Sequence, residues 1–411
     1  MPVAATARLQ RTGVLAVLLT FFFTCYLAAA YGLGLYLFPV LLPDMQAALG
    51  ISYTTVGLIS GAAQAGYMIA ALAAGILTPK IGGGRLVLLA IVICAVTLSL
   101  LSMVRGVWVL GIGLTILGAT ASTIWVPTVE VVSRYIPERG RAMVFGIFSS
   151  AGGYGAMVNG MMVPPLLVAL GWRSVWLAMG LGTLALVVVG AIVLGRLGVL
   201  TKQAVSTAGN KVRLRGALTL LKSRLVLLLL LMMFFISVAY MPFQTYLAAY
   251  LRNELGFSIQ ATGLLWTIFG LAAAAGGAIL GFLADRIGIR RAIMVTLALL
   301  MLAALLMAFY PVGWLPFVAA AAFGISYGAI YGLLPAYISR MIALPFSSMV
   351  FGFGNVMLGL GGIAGNLLGG YSKTLFGELH TLYLGVGVVT VILTLLTLSL
   401  QNDRTAPAGQ A

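Results

Sequence analysis

The sequence predicts an all-helical membrane protein, with twelve transmembrane helices arranged as two pseudo-symmetric six-helix bundles. Three observations lead there. Of 411 residues, 62% are hydrophobic and 7% charged, too little polar surface to cover a water-facing globule. Apolar runs of about 20 residues recur along almost the whole chain, each long enough to cross a hydrocarbon core of ~30 Å as a helix. The chain also matches itself at an offset of 206 residues. A transmembrane barrel is excluded, because its strands would alternate polar and apolar residues.

Charges, Gly/Pro clusters and polar runs divide the chain. The first bundle, 1–197, holds α1 at 12–42, α2 at 54–78, α3 at 86–104, α4 at 108–134, α5 at 141–170 and α6 at 175–197. The second, 225–411, holds α7 at 225–251, α8 at 260–283, α9 at 292–309, α10 at 315–340, α11 at 347–372 and α12 at 379–400, then a short tail. A signal peptide is suggested by Arg8, Arg11 and Ala28-Ala29-Ala30, but the run continues apolar to Leu42, so it is assigned to α1. Cys25 and Cys94 both fall in apolar runs, where they act as packing residues rather than a disulfide framework.

A net charge of +16 raises the question of nucleic acid, and the positions of the basic residues answer against it. If the N-terminus is inside, the inner segments hold Arg8, Arg11, Lys80, Arg85, Arg134, Arg139, Arg141, Arg196, Arg286, Arg290, Arg291, Arg340 and Arg404. The linker at 198–224 adds Lys202, Lys211, Arg213, Arg215, Lys222 and Arg224, making 19 of 23 inside. Only Arg105, Arg173, Arg252 and Lys373 fall outside. This asymmetry predicts cytoplasmic termini and a cytoplasmic linker tethered near anionic lipid. Short loops fit a plasma membrane or a bacterial inner membrane, and a monomer is expected.

In the repeat, LGIS at Leu49 falls on LGFS at Leu255, Gly75 on Gly281, Ile81-Gly82 on Ile287-Gly288, Arg85 on Arg291, Arg134 on Arg340 and Phe145-Gly146 on Phe351-Gly352. Six helices per half is an even number, so the halves are parallel repeats about an axis along the membrane normal. Between α8 and α9, GFLADRIGIRR (Gly281 to Arg291) resembles the signature loop of the major facilitator superfamily, with Gly281, Leu283, Asp285, Arg286, Gly288, Arg290 and Arg291 in place. The first-half copy, GILTPKIGGGR, keeps Gly75, Leu77, Lys80, Gly82 and Arg85 but has Pro79 instead of the acid. The resemblance spans the whole chain in helix count, linker and orientation. It implies secondary transport by rocking of two bundles, with the loop's acid and bases pairing across the bundle ends. Glu130, one turn before Arg134, is the candidate substitute for the missing acid.

Intramembrane charge is expensive and therefore points to function. Glu130 is the one carboxylate expected inside a span, and it is the proton-coupling candidate beside a structural role with Arg134. Asp44, Glu138, Glu254, Glu378 and Asp403 are expected in loops or the tail, and His380 at an interface. No metal cluster, nucleophile with its base, or phosphate loop appears, so neither enzyme nor cofactor is expected. The resemblance implies a pathway lined by α1, α4, α7 and α10, flanked by α2, α5, α8 and α11. Polar residues on these helices are Tyr31, Gln64, Thr120, Thr123, Trp125, Ser149, Tyr154, Tyr240, Gln244, Tyr327, Tyr331 and Asn355. The repeat pairs Trp125 with Tyr331 and Ser149 with Asn355. These four and Tyr327 lead the list, offering aromatic faces with polar tips and an amide.

Glycines on α11 resemble the superfamily's antiporter motif with Asn366 in place of proline, but that motif belongs on α5, where the aligned segment is largely lost. They are read as packing against the small residues Ala272 to Gly277 of α8. The arginine expected in α4 of drug exporters is missing, with Leu114 near its place. The expected function is transport of a small organic solute, neutral or weakly acidic, such as a monocarboxylate. Proton-coupled export of lipophilic compounds and a non-transporting membrane sensor are the alternatives.

Overall fold

The computed structural model describes residues 2–200, 223–342 and 346–403, with side chains from residue 14 onward except at 139, 142 and 348. Hydrocarbon offers no partner to a backbone amide, so the chain satisfies its amides inside helices; among the described residues there is no strand. α1 runs Pro2–Ala28, widens into a π segment, Ala29–Tyr36, and continues as Leu37–Leu49. α2 (Tyr53–Ile81), α3 (Gly83–Leu101) and α4 (Val107–Tyr135) follow. α5 opens as Glu138–Ser149, and the run Ala151–Arg196 holds the rest of α5 and all of α6, divided at Gly171 with φ 76° and ψ 167°. The second half comprises α7 (Arg224–Ala249, then a π turn Tyr250–Glu254), α8 (Ile259–Ile287), α9 (Ile289–Phe309), α10 (Leu315–Met341), α11 (Phe346–Phe376) and α12 (His380–Leu398). Eleven described runs are long and apolar enough to span a membrane, and the run broken at Gly171 covers two crossings.

The repeat is written into the backbone. Ser52 and Ser258, 206 apart, cap α2 and α8 by accepting the amides of Thr55 and Ala261 at 3.2 and 3.1 Å. Glycines with positive φ recur at the same offset: Gly50 with Gly256, Gly82 with Gly288, and Gly171 with Gly377. Within the halves α2 packs on α4, α8 on α10 and α7 on α11, whereas α2 on α11 and α5 on α8 join the halves.

Several boundaries differ from expectation. α1 passes through Pro43 and stops only at left-handed Gly50, whose amide returns to Gln46 O at 2.9 Å. Proline removes one helical bond without ending a helix that is packed on both sides, so Asp44 is helical rather than in a loop. Glu138 opens α5 and Glu254 ends the π turn after α7. The linker does not begin at residue 198 as a free tether: Arg85 Nε donates to Leu200 O at 2.6 Å, and Val199 packs on Gly84. Arg224 begins α7. Lys202, Lys211, Arg213, Arg215, Lys222 and Arg404 lie outside the described residues, as do the side chains of Arg8, Arg11 and Arg139.

The tail is not free either. Asp403 is buried, accepting the amides of Ile289 at 2.9 Å and Arg290 at 3.2 Å, with Arg340 at 3.8 Å. Glu130 does the same for α3, accepting Gly83 N at 2.8 Å with Arg134 at 3.8 Å. Arg134 and Arg340 are repeat partners, and Ala336 stands opposite Glu130, so the second half draws its capping acid from the tail. A carboxylate at a helix N-terminus answers both unpaired amides and the positive dipole end. Asp403→Asn is expected to cost about 1 kcal/mol, measured as a lower apparent melting temperature in detergent, with Glu130→Gln producing a loss of similar size.

Candidate functional site

A cavity of about 240 Å³ lies between the halves. Helix geometry selects its lining. On α2, Ser60, Ala63, Gln64 and Tyr67 recur at the three- and four-residue spacing of one face. On α1, Tyr31 and Tyr36 both line it although five residues apart. That spacing points to different faces of an α-helix and converges in a π turn, which this segment adopts. The π segment is held where Gly32 meets the backbone of Gly155 and Asn159 Nδ2 donates to Gly32 O at 2.6 Å.

Of the twelve polar residues singled out in the sequence, eight line this cavity: Trp125, Tyr331, Tyr327, Asn355, Ser149, Tyr31, Gln64 and Gln244. Ser149 Oγ donates to Phe145 O and Asn355 Nδ2 to Phe351 O, each at 2.9 Å, the same bond repeated 206 residues on. The other four lie elsewhere. Tyr154 is 36% exposed on the outer face of α5, one helical step beyond Gly153. Tyr240 is buried behind the wall, bonded to Ser326 Oγ at 2.5 Å with its ring beside Phe323, Tyr327 and Tyr331. Thr120 and Thr123 turn their hydroxyls back to Leu117 O and Ala119 O.

Tyrosines dominate the hydrogen bonding. Tyr31 and Tyr67 share a bond of 2.8 Å, and Tyr36 meets Tyr327 across the halves at 2.7 Å. Gln64 Nε2 donates to the sulfur of Met241 at 2.9 Å. Among the described residues Ser60 Oγ, Gln244 Oε1 and the Tyr331 hydroxyl are buried without a hydrogen-bond partner, a costly condition for a polar group. Among the described lining residues there is no Asp, Glu, Lys, Arg or His, and no described group of side chains is arranged to hold a metal. Sequence reasoning missed Ser60 and Tyr67, which sit four before and three after Gln64, and Tyr36, which only the π turn brings round.

The cavity is asymmetric between the two faces of the bundle. The face that carries the α2–α3 and α8–α9 turns and Asp403 is here called the terminal face. At the opposite face the halves are tied: Asp44 accepts two bonds from Arg252, one of 3.1 Å, Thr54 meets Thr374 at 2.9 Å, and Asn253 reaches Gln46 and Tyr53 at 3.3 and 3.2 Å. At the terminal face they part. A Cβ placed at Gly75, Gly146, Gly281 or Gly352 would meet nothing within 4 Å. The signature-loop residues Asp285, Arg286, Arg291, Lys80 and Arg85 are exposed, Arg286 lying 4.2 Å over the Phe282 ring. Among the described residues Asp285 makes no ion pair, so the pairing expected of that acid is not formed there. Gly288 supplies the positive φ of 95° that ends α8.

The expected packing of α11 glycines on α8 is also corrected. Gly361 and Gly365 meet Phe234 and Val238 of α7, and Gly359 and Gly362 meet Met68 and Gln64 of α2. Gly276 of α8 packs instead on Ile325 of α10. The topology places α8 beside α10 and α5, out of reach of α11.

The fold is shared with solved transporters at low identity. A bacterial homologue of the human lysosomal transporter Spinster, inward-facing and unoccupied, superposes with a TM-score of 0.77 at 14% identity, covering 97% of this chain and 99% of that one. A mutant of the nucleoside transporter NupG gives 0.73 at 15% identity, over 92% and 99%. A mutant of the E. coli fucose:proton symporter FucP gives 0.64 at 18%, over 94% and 98%. No curated protein matches the sequence significantly. The sequence profile of the Major Facilitator Superfamily matches residues 22–365 and 243–411. With twelve crossings, a backbone repeating every 206 residues and that match over the full span, the chain belongs to the Major Facilitator Superfamily.

Proposed function

We propose that this protein is a secondary transporter that carries a small, uncharged or weakly acidic organic solute by alternating access. The observation that carries the reading is the central cavity, uncharged among its described lining residues and holding unpartnered polar groups on α2, α7 and α10. Dicarboxylates and organophosphates fit it poorly, since a fixed double charge in low dielectric needs a countercharge. Nucleosides and hydroxyl-rich sugars, named for two of the solved relatives, are the first solutes to screen, followed by monocarboxylates. Trp125, Tyr31, Tyr327 and Tyr331 offer aromatic faces to a ring or a carbon skeleton, while Gln64, Gln244, Ser149 and Asn355 offer hydrogen bonds. Glu130 lies outside this cavity and caps α3, which favours its structural role over proton coupling. The basic residues at the terminal face support an inner-membrane orientation with both termini cytoplasmic.

A thermal-shift screen on purified protein identifies a ligand, and proteoliposome flux of that ligand tests transport. A ligand that binds and is never translocated would leave a sensor instead. Tyr331→Phe and Gln244→Leu are each expected to weaken binding about 5- to 10-fold, the loss of one hydrogen bond, whereas Tyr154→Phe leaves it unchanged. For orientation, single cysteines at Val312 and Arg291 in a Cys25→Ser, Cys94→Ser background are to be labelled in intact cells with an impermeant maleimide. Val312→Cys is expected to react and Arg291→Cys to be protected.

A further inference from the structure

The repeat that relates the halves also supplies a comparison within the molecule. Residues 206 apart build the same close contact between α1 and α5 as between α7 and α11: a Cβ at Gly155 would stand 2.4 Å from Ala28 O, and one at its repeat partner Gly361 would stand 2.1 Å from Phe234 O. Four residues on, the two contacts differ. On α5 the fully buried Asn159 donates from Nδ2 to Gly32 O at 2.6 Å. On α11 the same place is Gly365, which has no side chain to donate, and a Cβ there would meet O of Val238, the repeat partner of Gly32, at 2.7 Å. The backbones differ in step. α1 is π over Ala29–Tyr36, whereas α7 is a regular α-helix through the equivalent residues 235–242. Tyr31 and its partner Ser237 both line the cavity, as do Leu35 and its partner Met241, but Tyr36 lines it and its partner Pro242 does not.

We propose that Asn159 is a positioning residue of the solute site: its bond to Gly32 O holds α1 in the π segment, and the π segment brings Tyr36 onto the cavity to meet Tyr327 of the other half. The proposal rests on the reading of this cavity as the solute site. A side chain that reaches into the backbone ladder is one of the few causes of irregularity in a packed helix, and a buried amide donating to a backbone carbonyl is such a side chain. Asn159 is kept at a cost. Its Oδ1 is buried with no hydrogen-bond partner among the described residues, a penalty that leucine or glycine would not carry. In a regular helix five residues turn through about 500°, which would leave Tyr31 and Tyr36 about 140° apart. Loss of the π segment therefore takes Tyr36 off the cavity and leaves Tyr31 on it, the arrangement that α7 has with Pro242 and Ser237. The Tyr36–Tyr327 bond of 2.7 Å joins the halves, so Asn159, which is not itself in the lining, acts on both the shape of the site and a contact between the bundles.

Cross-linking tests this without a solute. In a Cys25→Ser, Cys94→Ser background of the purified full chain, the pairs Tyr36→Cys with Tyr327→Cys and Tyr31→Cys with Tyr67→Cys are treated with a short bis-methanethiosulfonate, and the cross-linked fraction is read by mass spectrometry. Asn159→Leu, of similar volume but without a donor, is expected to lower the Tyr36–Tyr327 yield about 5-fold, the effect of one lost hydrogen bond, and to leave the Tyr31–Tyr67 yield within about 2-fold of the parent. Asn159→Gly installs the residue of the second half and is expected to do the same, which covers the case where leucine does not pack. Asn159→Gln keeps the amide donor and is expected to restore at least about half of the parental Tyr36–Tyr327 yield. A parental yield for that pair in both Asn159→Leu and Asn159→Gly overturns the proposal, as does an equal fall of both pairs or a failure of Asn159→Gln to rescue. Cross-links that behave as expected, with no flux of any ligand into proteoliposomes, sustain the placement of Tyr36 by Asn159 and remove the transport reading instead.

Discussion

The depth of the cavity is set by how closely four helices approach one another at glycine. A Cβ at Gly57 of α2 would stand 2.6 Å from Asn366 O of α11, and one at Gly153 of α5 would stand 2.6 Å from Gly270 O of α8. Lipid tails are as apolar as leucine, so helices in a bilayer gain by close backbone contact and dispersion rather than by hydrophobic burial. These contacts lie between the middle of each helix and the opposite face. At Gly75, Gly146, Gly281 and Gly352, toward the terminal face of the same helices, an added Cβ would meet no described atom within 4 Å. Rigid bundles cannot close both ends at once, so each of these helices carries one zipped and one open segment.

The chemistry of the cavity follows from that geometry. Glycine contacts exclude water from the closed end, and a dry, low-dielectric wall makes any fixed charge expensive. The lining answers with tyrosine, amide and hydroxyl groups: Tyr31 bonds Tyr67, Tyr36 bonds Tyr327, and Ser149 and Asn355 bond backbone carbonyls of their own helices. What remains unpaired is concentrated at Ser60, Gln244 and Tyr331. The Tyr36–Tyr327 bond crosses the halves, so the cavity wall itself reports their relative position. Under the alternating-access reading proposed above, a solute inserted between these rings would act on a contact that joins the two halves.

Helix number and the repeat were legible because lipid forces hydrophobicity and turn glycines into the sequence itself. Gly50, Gly82 and Gly171 with their partners at Gly256, Gly288 and Gly377 are the backbone form of a pattern visible in letters. The cavity was legible to the extent that a regular helix predicts it: Gln64, Trp125, Gln244, Tyr327 and Tyr331 face inward as helical spacing implies. Tyr240 and Tyr154 lie off the cavity because polarity and depth do not tell which side of a helix a tyrosine takes. Tyr36 was hidden by a π turn that no residue type announces. Asp44 was read as a loop residue because proline and aspartate together look like a stop, and its partner lies 208 residues away.

The differences between the halves have a common form. Each half must satisfy the unpaired amides that begin its third helix at a tight glycine turn. The first uses Glu130 from α4, and the second, with Ala336 at that place, uses Asp403 from the tail. Equivalent demands met by non-equivalent residues leave the two bundles free to diverge elsewhere. α1 takes a π segment through the cavity wall, whereas α7 keeps a regular helix there and places its π turn at the end, where it carries Arg252 to Asp44. The widened turn in α1 exchanges regular backbone bonds for a second tyrosine in the site, and the late turn in α7 gives the first half its charged tie. A symmetric pair of bundles would present the same groups from both sides; these two divide the work, α1 shaping the site and the end of α7 holding it closed.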